Sequence, residues 1–194
     1  KVFCNEVAAV PKLREIIKEF PEVECTYEYD IPFVKRYLLD KSVIPLKGYE
    51  FELETSELKL PSRVNMFRIV NIIGSTEENI PGVRALAIDI ETYNPHGKRI
   101  SMKEYPILMI GLYGENFKKV ITWKKVSSDF VDSVESEAML IEKFKEAVSF
   151  YKPDVITGYF SDGFDLPYII ERAKKYKIKL DIGTDYSELS ESKS

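Results

Sequence analysis

The chain has 194 residues, enough for one good-sized core or two small ones, and its 44% hydrophobic, 31% charged and 12% aromatic composition is that of an ordinary globular protein. No apolar run approaches the roughly 18 residues of a membrane span and no signal-like segment opens the chain, so a cytoplasmic protein with no membrane partner is expected. A net charge of −4 gives no global basic field for nucleic acid, although bound metal ions reverse the sign locally, and two cysteines with one histidine exclude the usual Cys/His zinc site.

Lys1-Val2-Phe3 reads as part of a strand without an initiating methionine, so a piece of a longer protein is expected. Leu13, Ile16, Ile17 and Phe20 fall at helical spacing and predict a helix from Pro11 to Phe20. Val23, Cys25, Tyr27 and Tyr29 alternate with polar residues and predict a strand. A short helix is expected after Pro32, through Phe33, Tyr37 and Leu38, followed by strands over 49–60 and 64–73. The run Gly74 to Gly82 is polar and rich in turn formers, and marks a domain boundary. Beyond it come strands over 84–91, 105–113 and 118–123, the last two joined by a hairpin at Gly114-Glu115-Asn116. A helix capped by Ser136 follows, then a strand over 154–158 and a helix from Leu166 to about Tyr176. The expected domains are therefore a partial α+β domain over 1–80, a mixed-sheet domain over 81–186 and a flexible tail over 187–194. The absence of glutamine beside abundant Lys, Glu and Ile points to a hot habitat. His96 lies in the turn Asn94-Pro95-His96-Gly97, where a solvated loop histidine is expected.

In "ALAIDIETYN", residues 85–94, Asp89 and Glu91 share one face of a strand while Ile88 and Ile90 share the other. Two carboxylates so placed repel each other unless a cation lies between them. A hard divalent metal is one solution, since Mg²⁺ and Mn²⁺ prefer oxygen ligands. Ion pairing with Lys98 or Arg99 is the other. In "GYFSDGFDLPYII", residues 158–170, a strand ends and a helix begins with Asp162 and Asp165 at the junction. Asp165 reads equally as a helix N-cap or as a third acid brought toward Asp89 and Glu91 by a neighbouring strand.

"AIDIET" with "YFSDGFDLPYII" resembles the first two exonuclease motifs of family B DNA polymerases, and "YEYDIPFVKRYLLDKSVIP", residues 27–45, resembles the end of the N-terminal domain in archaeal members. The resemblance implies an α/β (α+β) fold in which an RNase H-like mixed-sheet 3′-5′ exonuclease domain follows a small α+β N-terminal domain. It implies a DNA polymerase whose proofreading site uses two Mg²⁺ or Mn²⁺ ions, roughly 3.5–4 Å apart, to remove 3′-terminal nucleotides. Asp89, Glu91 and Asp165 would be the catalytic metal ligands, and Thr92 and Phe164 would touch the terminal nucleotide. The implied partners are DNA, as a single-stranded 3′ end and a template strand, and a sliding clamp met through a C-terminal part; the implied location is cytoplasmic, at the nucleoid. The second motif usually has Asn where this chain has Phe160. The third motif, a Tyr and an Asp three residues beyond it, belongs after Ser194, so weak metal binding and slow cleavage are expected of these residues alone. Val10, Pro11, Arg14, Ile31, Pro32, Phe33 and Arg36 match positions that form a template-uracil pocket in archaeal relatives. A free-standing exonuclease and a non-catalytic nucleic-acid-binding module with a degenerate site are the alternative readings.

Overall fold

A computed structural model describes residues 2–54, 60–76, 82–97 and 100–190, with His96 described by its backbone alone. The chain divides into two compact units, Lys1–Glu52 with Asn71–Ile80 and Leu53–Val70 with Pro81–Ser194.

The first unit carries two eight-residue helices, α1 (Val10–Ile17) and α2 (Phe33–Asp40). Pro11 sits in the first turn of α1, where its missing N–H costs nothing, and Pro32, in an extended conformation, starts α2. The strands β1 (Tyr49–Leu53) and β2 (Ile69–Ser75) form a two-stranded sheet. Both are shorter than the periodicity predicts, and residues 55–59 of the expected first strand lie outside the described residues. The strand expected over Val23–Tyr29 does not form: the segment is irregular and Glu28 adopts φ +60°. Alternation is only half of what a strand needs; no described segment offers these residues a hydrogen-bonding neighbour.

The second unit is built on a five-stranded mixed sheet in the order β6-β5-β4-β3-β7. β3 (Ala85–Thr92), β4 (Ile107–Gly114) and β5 (Phe117–Thr122) form an antiparallel meander. β6 (Val131–Ser133), which the sequence does not announce, pairs parallel with β5, and β7 (Val155–Thr157) pairs parallel with β3. The β4–β5 hairpin turns at Glu115-Asn116, with Asn116 at φ +54°, a conformation Asn tolerates better than most residues.

Helices α3 (Glu137–Tyr151) and α4 (Asp165–Tyr176) complete this unit. Ser136 caps α3, its hydroxyl accepting the Met139 N–H at 3.3 Å. Leu140, Ile141, Phe144, Ala147 and Val148 of α3 and Tyr168, Ile169, Ile170 and Ala173 of α4 pack with Leu86, Ile88, Ile90, Ile110, Leu112 and Ile121 of the sheet in one core. Period 2 along β3 turns Asp89 and Glu91 to the opposite face, where both are exposed.

Candidate functional site

β7 is short. It pairs with Ala85, Leu86 and Ala87 only, so the edge of β3 beyond Ala87 has no strand beside it. There the chain turns out of β7 at Gly158, where a Cβ would stand 2.5 Å from the Ile88 carbonyl oxygen, a separation only glycine permits. After that turn Asp165 enters as the first residue of α4, and its Oδ1 accepts the Ile90 N–H at 3.0 Å. The carboxylate thus supplies the acceptor that a longer β7 would have supplied; left unmet, a buried amide costs about 1–3 kcal/mol. Asp165 as an N-cap is not what forms: Phe164 occupies that position and its side chain makes no cap bond.

Asp165 is 3% exposed, and burial pushes its carboxyl above the ordinary range. The Ile90 N–H opposes that rise, and the negative charge of Asp89 reinforces it. Among the described residues no cation perturbs Asp165 and no ion pair engages Asp89, Glu91 or Asp165. Lys98, Arg99 and the side chain of His96 lie outside the described residues. Asp162 is exposed.

The group that family resemblance implies here is a hard divalent cation. The donor set suits it in chemistry: every donor is a carboxylate oxygen, and among the described residues a buried acid beside a second acid has no positive neighbour. As the side chains stand, no three His, Cys, Asp or Glu among the described residues gather into a metal cluster. What the fold brings together is Asp165 with the Ile90 N–H and the charge of Asp89.

Directly after Glu91 the pairing slips. Glu91 opposes Met109 while Thr92 opposes Ile107, leaving Leu108 as an extra residue on β4. Thr122 donates its hydroxyl to the Leu108 carbonyl at 2.8 Å and Trp123 its indole N–H to the Ile107 carbonyl at 2.6 Å, so both carbonyls at the bulge have partners. Such a bulge re-aims the side chains beside it. Thr92 is half-buried and bonds the Tyr168 hydroxyl. Phe164 is half-buried too, its ring 5.5 Å from that of Tyr168.

A buried polar network behind the acids was not predicted. Glu137 accepts Arg172 Nε at 2.7 Å and Nη2 at 2.5 Å, the Tyr176 hydroxyl at 2.7 Å and the Ile107 N–H at 2.8 Å. Arg172 Nη1 donates to the Lys103 and Met102 carbonyls, and the Tyr168 hydroxyl to those of Tyr105 and Ser101. The loop from β3 to β4 is therefore pinned by α4, the helix that begins with Asp165. Tyr168, Arg172 and Tyr176 recur every four residues on α4, and that stripe, carrying an arginine on an apolar face, was the signal available in the sequence.

In the first unit, Val10, Pro11 and Arg14 lie on α1, Ile31 and Pro32 precede α2, and Phe33 and Arg36 lie on it. The Arg14 guanidinium stacks 3.8 Å over the Tyr29 ring, and Arg36 grips Asp40 at 2.8 and 3.0 Å and also bonds Glu28. Pro11, Pro32 and Phe33 are exposed, and Val10 and Ile31 half-buried.

Residues 24–193 match the exonuclease domain of family B DNA polymerases. The chain is 40% identical over 188 residues to a DNA polymerase of Pyrococcus glycovorans, covering 97% of this chain and 20% of that protein. It is 40% identical over 185 residues to a DNA polymerase of Thermococcus litoralis, covering 95% and 9%. The solved family B DNA polymerase of the hyperthermophilic archaeon Pyrobaculum calidifontis superposes with a TM-score of 0.77 at 30% identity, over 96% of this chain and 23% of that one. The chain thus spans about a fifth or less of the first two relatives. With the mixed sheet, the two motifs and these matches agreeing, the chain belongs to the family B DNA polymerases and carries sequence of their exonuclease domain.

Proposed function

We propose that this chain is the 3′-5′ exonuclease region of a DNA polymerase, hydrolysing 3′-terminal nucleotides of single-stranded DNA, with residues 1–80 as part of an N-terminal template-reading domain and 81–186 as the nuclease. The observation that carries the reading is Asp165: a buried acid, 75 residues from Ile90 in sequence, whose carboxylate sits on the main chain of β3 between Asp89 and Glu91. Asp89, Glu91 and Asp165 would hold divalent metal, which when bound neutralises the acids and the approaching phosphate and activates water for attack. Asp165 stays fixed because its second role, as acceptor for Ile90, leaves it one position. Thr92, oriented by the bulge and by Tyr168, would meet the sugar of the terminal nucleotide. The uracil-pocket residues and a sliding clamp belong to the same reading of the parent polymerase.

Titration calorimetry with Mn²⁺ tests it. Wild type should give metal-dependent heat and Asp89→Ala none, and in Mg²⁺ the variant should lose whatever shortening of 3′ ends the wild type shows. Indistinguishable heats sink the reading. They would favour a non-catalytic nucleic-acid-binding module, the alternative that the absence of a gathered three-acid cluster among the described residues supports.

A further inference from the structure

Phe160 is the residue of this site that local physics disfavours most. It adopts φ +57°, a left-handed conformation that glycine and asparagine enter readily and a bulky side chain does not. The residue is 72% exposed, so the strain is not repaid by burial. The neighbour on its N-terminal side, Tyr159, is 98% exposed. Strain of this kind persists only where the surroundings impose it, and here they do: Gly158 is pressed against the Ile88 carbonyl, and the Phe160 carbonyl accepts the N–H groups of both Gly163 and Phe164 at 3.0 Å. Gly163 then makes the ring's position possible. A Cβ there would lie 2.2 Å from the tip of the Phe160 ring. An aromatic face is therefore held open to solvent five residues before Asp165, on a turn that cannot relax.

We propose that Phe160 is a stacking platform for an unpaired base of single-stranded DNA at the mouth of the acidic site. The inference rests on the nuclease reading for its location and deepens it: this chain holds the substrate strand through a base face rather than through a polar contact. Any base has such a face, so recognition is indifferent to sequence and demands an unpaired nucleotide. Gly163, lacking a side chain, gives the ring its place.

The test is binding rather than cleavage, so that it survives failure of the nuclease reading. Fluorescence anisotropy with a labelled single-stranded oligonucleotide in Ca²⁺ should show Phe160→Ala and Phe160→Asn weakened by about 5- to 150-fold, the range for one lost base–aromatic stack. Phe160→Tyr should bind like wild type. Replacing the 3′-terminal nucleotide by an abasic one should cost wild type a similar factor and cost Phe160→Ala nothing further. Thermal unfolding of Phe160→Asn, with a midpoint at or above that of wild type, guards against loss through misfolding. Equal affinity across all four proteins overturns the proposal, as does a wild type that binds no oligonucleotide. Cleavage without any dependence on residue 160 overturns it while leaving the nuclease reading intact.

Discussion

Helices α1 and α2 of the first unit carry apolar stripes as regular as those of α3 and α4, yet none of their residues is buried, whereas α3 and α4 bury six each. Phe33 and Leu39 on α2 are 59% and 57% exposed; Leu140 and Phe144 on α3 are 0%. An amphipathic pattern specifies a helix and the face it offers. A core needs a second layer to receive that face, and among the described residues the five-stranded sheet is the one that buries such a face. The second unit therefore holds every fully buried side chain among the described residues, and with them the rigid frame that an acidic site requires.

The contrast can be broken most forcefully at the buried ion pair. Glu137→Gln leaves Arg172 without its counter-charge and should cost about 3–5 kcal/mol by chemical denaturation. Burial alone would raise the Glu137 carboxyl, but the hydrogen bonds from Arg172, Tyr176 and the Ile107 N–H hold it below its ordinary value. Its contribution is thus complete above the unfolded glutamate pKa of about 4.3 and drains away as pH falls through the lower folded value. Stability measured down that range should fall more steeply in wild type than in Glu137→Gln.

The same substitution on the two sides sharpens the comparison next. Leu140→Ala should destabilise by about 2–5 kcal/mol, and Leu39→Ala, on the exposed face of α2, should stay within about 0.5 kcal/mol. Equal losses would mean that α2 packs as tightly as α3. The smallest effect is at a helix start. Ser136→Ala removes the acceptor for the Met139 N–H and should cost about 1 kcal/mol, whereas α1 and α2, which have no side-chain cap bond, offer no such handle.

Legibility in the sequence followed the same line. The three long strands, the Ser136 cap, the hairpin turn and the existence of a strand before α4 were readable because period and punctuation coincide in them. β6, three residues long, has no period to read. The strand over 23–29 was misread because alternation reports a two-faced segment and says nothing of whether a neighbour exists. At the site, the same-face placement of Asp89 and Glu91 follows from strand geometry, and the approach of Asp165 from a neighbouring strand, which the structure shows to pair parallel with β3. Asp165 as the acceptor for Ile90 was not legible, since it depends on β7 stopping at Thr157. Arg172 and Glu137 lie 35 residues apart, and no local pattern announces the partner of a buried charge.

The early stop of β7 bears on how the site is to be dissected in the laboratory. Because one oxygen of Asp165 completes the sheet edge, truncating that side chain to alanine removes the proposed metal ligand and unzips a rung at once, and any loss of activity would conflate the two. Asparagine keeps an oxygen for the Ile90 amide while discarding the charge, which makes Asp165→Asn the cleaner knockout and Asp165→Ala a measure of how far the strand itself depends on its own chemistry.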